Sequence, residues 1–221
     1  MRRRNTNNNE AATTSPSDDK KEVRPGVGVK GCKLPSPSGI NTWSLPAQAL
    51  TFGIIVTGFV LATKKFSGYL ESSGPLSTTP PIVFGVLYTA LGMTHFVGAK
   101  DDMANIVPSY GAWGIWYVPG SKAFHVLWTG CAEVAFGLGL LASNFLLSDP
   151  SMTSLFGAGL FVLTAMVTPA NIFQFTHGAK LPIESDPMPL VFYSIRFSIQ
   201  VVLLGYLYQI GKESLESIAM L

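Results

Sequence analysis

The chain has 221 residues, of which 48% are apolar and 13% charged, with a formal net charge of +2 and a mean hydropathy of +0.34. These averages hide a split: residues 1–40 hold eight of the 15 Lys and Arg and four of the 13 Asp and Glu, and long apolar runs follow. Such a composition excludes an ordinary soluble core and describes a membrane protein behind a polar tail, whose basic excess says little about partners.

The tail, residues 1–40, has no apolar stretch of the secretory-signal kind. Its Arg, Ser, Thr and Asn resemble an organellar transit segment, whereas Glu10, Asp18, Asp19 and Glu22 count against a mitochondrial one. A targeting or processed segment and a plain disordered tail both remain open, and an organellar membrane, plastid or endomembrane, is compatible with either. Of the two cysteines, Cys32 lies in the tail and Cys131 in an apolar run; no CxxC is present for dithiol chemistry.

Five segments reach the ~17–20 apolar residues that a spanning helix needs. The first, residues 46–63, stops at Lys64 and Lys65; the second, 81–98, starts after STTPP and ends before Lys100, Asp101 and Asp102. The third, 123–148, carries Glu133; the fourth, 153–178, contains Pro169; the fifth, 188–211, carries Arg196. The links SDPS and KLPIESDP read as tight helix connections. The expected architecture is an all-α membrane protein. It has a tail (1–40), an extra transmembrane helix and linker (41–80), a four-helix transmembrane bundle (81–212) and a short tail (213–221).

Between the second and third spans, MANIVPSYGAWGIWYVPGSK is aromatic but broken by Pro108, Gly111, Gly114, Pro119 and Gly120. Irregular backbone cannot cross lipid, so this segment is expected at the interface with Tyr110, Trp113, Trp116 and Tyr117 at headgroup depth. Five spans put eleven Lys and Arg on the side of the N-terminus and three on the other, counting loops and tails. The positive-inside rule then places the N-terminus on the cytoplasmic, stromal or matrix side.

Alternating helix directions bring the polar residues to one leaflet. His95 falls near the end of the second span, His125 near the start of the third, and Asn171, Gln174 and His177 near the end of the fourth. Counted from the same side, Glu133 lies roughly 15 Å deep and Arg196 roughly 12 Å. His125, Thr129 and Glu133 share one helix face, as do Thr164, Thr168 and Asn171, and Arg196 and Gln200. Burial of an isolated charge in a membrane helix costs ~2.5–3.5 kcal/mol, so a Glu133–Arg196 ion pair is the expected brace. The alternatives are a ligand or proton site built from His95, His125, Glu133, Asn171, Gln174, His177 and Arg196, or a neutral Glu133 facing a partner subunit. The histidines are too scattered for a metal site, without HxxxH or ExxH spacing. No nucleophilic catalytic set, phosphate-cradling loop or nucleic-acid motif is present, so no catalytic residue is assigned.

The stretches GVLYTALGMTHFVGAKDDMANIVPSYGAW, HVLWTGCAEVAFGLGLL and VTPANIFQFTHG resemble the DoxX-like membrane proteins. The matching elements are His95-Phe96, Val107-Pro108, Gly130 to Glu133, Pro169 to Ile172, and Arg196 with Gln200, over residues 82–210. The resemblance implies a four-helix bundle for spans two to five, with the first span outside the family core. Family roles include companions of quinone-reducing or methylamine-oxidising systems, cargo receptors and receptor-assembly chaperones. Distant kin that perform thiol–quinone chemistry use CxxC motifs, which this chain lacks.

Two functions follow as expectations. One is a non-catalytic accessory, assembly or anchoring subunit that sits in the lipid bilayer beside a membrane protein partner. The other is a membrane oxidoreductase component that binds quinone or another lipophilic ligand in the Glu133/Arg196/His cavity. A small transporter is the weakest reading, because no inverted repeat is visible.

Overall fold

The computed structural model describes residues 36–73, 81–97, 103–179 and 189–220. They form α1 (Leu45–Ser72), α2 (Pro81–Thr94), α3 (Lys122–Ala142), α4 (Pro150–His177) and α5 (Leu190–Ala219). Among the described residues there is no strand, only a lone bridge between Ala112 and Trp116. Four of the helices are long and apolar enough to cross a membrane, which makes the chain an all-α, multi-pass membrane protein.

The second span is shorter than the sequence suggests. Its 14 helical residues rise only about 21 Å against a hydrocarbon core of about 30 Å. The helix stops at Thr94 because the next two N–H groups, of His95 and Phe96, reach back three residues to Gly92 and Met93. At the other end of the chain, residues 213–219, expected as a tail, continue α5. The Ser214 N–H reaches the Ser154 hydroxyl on α4 at 3.0 Å.

The expected tail divides at residue 36. Residues 1–35, with most of the basic charge that sets the expected orientation, lie outside the described residues. Ser36 and Ser38 donate to the carbonyls of Thr176 and Phe175 at 2.9 and 2.7 Å, and Ile40 is buried. The last turn of a helix leaves carbonyls without intrahelical donors, and these two serines supply them.

The ends of the long helices follow from local chemistry. Ser121 caps α3 by accepting from the Phe124 N–H, and Asp149 caps α4 by accepting from Ser151 and Met152. Hydrogen bonds from the Ser151 hydroxyl and these N–H groups hold the Asp149 carboxyl below its usual range. Between them, a single π-turn at Ser143–Leu147 and a left-handed Ser148 reverse the chain.

Packing runs α2 on α3, α3 on α4, α4 on α5 and α5 on α1. Phe84 meets Tyr206, which brings α2 to α5 and closes a four-helix bundle of α2–α5. Its core joins Phe84 and Tyr88 to Leu140, Leu160, Leu163 and Leu207. Helix α1 lies outside this ring, tied to α5 by Gln209 on Ser67 (2.8 Å) and Lys212 on Glu71 (2.6 Å).

The α2–α3 seam is glycine against glycine. A Cβ on Gly130 would stand 2.6 Å from the Cβ of His95, and one on Gly92 would stand 2.9 Å from that of Glu133. One heptad along, Gly85 and Gly137 repeat this contact, each facing the other's carbonyl at about 3 Å. Close backbone approach replaces the hydrophobic effect as the glue between helices in lipid. It is also what lets a helix as short as α2 hold its place.

Candidate functional site: two polar systems inside the bundle

The first system lies in the α2–α3 seam. The His95 Nδ1 is 2.7 Å from the Val126 carbonyl, and its Nε2 is 3.5 Å from Glu133 Oε2. A carbonyl only accepts, so Nδ1 carries a proton and Nε2 is the atom that answers Glu133. Glu133 is 8% exposed, and its Oε2 has no hydrogen-bond partner.

The second system links α4 to α5. Arg196 Nη2 donates to Asn171 Oδ1 at 3.1 Å, and Asn171 Nδ2 donates to Gln200 Oε1 at 3.0 Å. The Gln200 amide in turn donates to the Thr164 carbonyl and the Thr168 hydroxyl, both at 3.0 Å. Tyr88 reaches across from α2 to the Thr164 hydroxyl at 2.6 Å. Tyr88 is thus the α2 side chain that joins this network.

The expected Glu133–Arg196 ion pair is therefore replaced by Glu133–His95 and Arg196–Asn171. The reason is register. Phe136 lies against Gly159, which puts Glu133 level with about residue 162 of α4. Arg196 is held at Asn171, about nine residues away, or on the order of 13 Å along the bundle.

The remaining candidates separate as well. His125 faces the Pro119 carbonyl through Nε2 at 2.9 Å and receives the Trp128 indole N–H on Nδ1 at 3.2 Å. It pins the loop to the start of α3. His177 stacks on Phe173 and bonds the Thr176 hydroxyl at 2.9 Å. Gln174 is 1% exposed, and both of its amide atoms lack partners. Among the described residues, no three His, Cys, Asp or Glu side chains are grouped to hold a metal.

Trp113 was expected in an interfacial belt but is fully buried. It enters between α1 and α4, against Phe52, Phe173 and His177, and its indole N–H donates to Thr176 Oγ1 at 2.9 Å. Glycines at 111 and 114 with φ of +84° and +74°, and Trp113 itself at +53°, bend the loop inward to place it there. Tyr110 and Tyr117 remain exposed and pair with each other, as a belt would have them. Tyr88 carries no signal in the sequence that marks it for this network, and Trp113 leaves the belt for the interior. The broken glycine pattern around Trp113 was the one available signal.

Comparison of the chain with protein-family models, curated proteins and solved structures found no match.

Proposed function

We propose that this chain is a DoxX-like membrane protein acting as a non-catalytic accessory or anchoring subunit, with α1 as the helix that meets its partner. The observation carrying this reading is the outward face of α1. Ala49, Gly53 and Thr57 form a small-residue stripe there, in a shallow groove edged by Leu50, Ile54 and Leu61. A Cβ added at Gly53 or Gly58 meets nothing within 4 Å. Glycine inside a helix costs ~1 kcal/mol relative to alanine, and no contact among the described residues offsets that cost. A second transmembrane helix approaching closely would do so. The polar groups support the same reading, because Arg196, Asn171, Gln200, His125 and His177 are each engaged with neighbours in the bundle.

Co-purification from gently solubilised membranes tests it. A defined membrane protein should accompany the wild-type chain and be lost on Gly53→Leu, while Val191→Leu, on an exposed face of α5, leaves it bound. A chain that runs alone in native gels sinks the proposal.

The orphaned Glu133 Oε2 and Gln174 amide favour a second reading: a quinone or other lipophilic ligand that offers them donors and acceptors inside the bundle. Quinone titration monitored by tryptophan quenching tests this. Binding that is indifferent to both Glu133→Gln and Gln174→Leu would dispose of it.

A further inference from the structure

Between α1 and the α4–α5 pair lies a cleft of about 680 Å³, which the α4–α5 polar network meets at Thr168. Its depth is apolar, with Phe52, Val56 and Phe59 of α1 facing Ala165 and Leu204. Its upper part holds Lys64, which makes no ion pair among the described residues, and Glu71, whose carboxylate is taken up by Lys212 at 2.6 Å. Beside Lys64, Thr63 also lines the cleft. Thr63 is 9% exposed, and its Oγ1 is buried without a hydrogen-bond partner. A threonine in a helix ordinarily returns its hydroxyl to a carbonyl one turn back, and Thr63 does not.

We propose that this cleft binds one anionic glycerophospholipid, with its phosphate at Lys64, an ester oxygen on the Thr63 hydroxyl, and an acyl chain running down past Phe59 toward Phe52. Charge and depth agree. Lys64 stands where the apolar stretch of α1 ends, at headgroup level, and the apolar walls lie below it in the hydrocarbon. Phe52 is twelve residues before Lys64, so the walls descend about 18 Å, a length suited to an acyl chain. The neighbouring Lys65 is exposed and takes no part in the cleft, which makes it the internal control. On the orientation implied by the basic tail, both lysines fall on the side poor in positive charge, so membrane topology does not call for them.

The test uses the full chain, purified in detergent, stripped of lipid and titrated with dioleoyl-phosphatidylglycerol or dioleoyl-phosphatidylcholine, with occupancy read by native mass spectrometry. Phosphatidylglycerol should be retained over phosphatidylcholine. Lys64→Gln should weaken it about fivefold, the scale of one lysine at a lipid surface, and Lys65→Gln should leave it unchanged. Ala165→Leu, which fills the cleft, should weaken it with the headgroup site intact. The near-isosteric Thr63→Val should weaken it without disturbing packing. Glycerol 3-phosphate alone should not compete, because most of the binding free energy comes from the chain. Equal effects of Lys64→Gln and Lys65→Gln would reduce the site to a general basic surface and overturn the proposal. So would equal retention of the two lipids, displacement by glycerol 3-phosphate, or unchanged binding by folded Ala165→Leu and Thr63→Val proteins.

Discussion

Glu133 answers His95, not Arg196. Its carboxylate lies 3.5 Å from the imidazole, and the arginine is bonded to Asn171 further along the bundle. Residues in contact couple energetically by ~0.5–3 kcal/mol, whereas residues more than ~10 Å apart without shared partners add within ~0.5 kcal/mol. A double-mutant cycle on His95→Ala and Glu133→Gln, read from unfolding in mixed micelles, should therefore give a clear coupling. The cycle on Glu133→Gln and Arg196→Gln should give none. Coupling in the second cycle as large as in the first would mean that the register described above is wrong.

Asn171 is the joint of the α4–α5 network, because it accepts from Arg196 and donates to Gln200. Asn171→Leu removes an acceptor from Arg196 and leaves the Gln200 Oε1 without its donor in a membrane interior. Hydrogen bonds of this kind are worth ~0.6–1.7 kcal/mol in lipid, and stranded donors and acceptors add to that. A destabilisation of about 2 kcal/mol is expected, together with a much smaller effect of Asn171→Leu once Gln200→Leu and Arg196→Leu are already present. Simple additivity across the three sites would show that the network does not act as a unit.

Gly130 in the α2–α3 seam and Gly53 on the open face of α1 offer a sharper contrast, because substitutions there should act in opposite directions. Gly130→Ala places a methyl 2.6 Å from the Cβ of His95, with rigid elements on both sides. Overpacking of this kind costs ~1–3 kcal/mol and would push His95 away from Glu133. Gly53→Ala meets open space and gains helix propensity, so the isolated chain should be stabilised by up to ~1 kcal/mol. Thermal melts of both variants in one detergent check the pair: a melting temperature not lowered by Gly130→Ala refutes the seam, and one lowered by Gly53→Ala refutes the open face of α1.

The sequence made the class of fold and the helix faces legible for a physical reason. Apolar runs bounded by Lys64 and Lys65, by Asp149-Pro150 and by Lys212 mark where lipid ends, and a period of 3.6 puts Thr164, Thr168 and Asn171 on one side. It did not make axial register legible. Glu133 is eleven residues into α3 and Arg196 six into α5, and the helices slide until Phe136 meets Gly159 and Gly157 meets Gly211. Which glycine finds which ring is a tertiary fact with no local signature. On α3, Gly130 and Gly137 build the α2 seam while Gly139 receives the Phe156 ring of α4, and nothing in their spacing says which helix each one meets. Trp113 escaped for a similar reason: aromatic residues beside glycine and proline describe an interface belt and an inward plug equally well.

That plug gives the last prediction. Trp113 is fully buried, stands at a left-handed φ of +53°, and spends its one polar atom on Thr176. A backbone angle uncommon for a bulky residue persists only where the surroundings over-determine it, and here the ring contacts with Phe52, Phe173 and His177 do so. Trp113→Ala removes those contacts and should cost ~3–5 kcal/mol, the range for deleting a buried aromatic. Trp113→Gly relieves the strained angle while leaving the same void, so it should be less damaging than its smaller side chain alone suggests. Trp113→Phe keeps one aromatic ring in place but loses the rest of the indole and the bond to Thr176, so it should cost about 2 kcal/mol, less than Trp113→Ala. The expected order of melting temperatures is wild type, then Phe, with Ala and Gly lowest and close together. A Gly variant far below Ala would show that the positive φ is not a source of strain, and an Ala variant near wild type would show that the loop is not held by its plug.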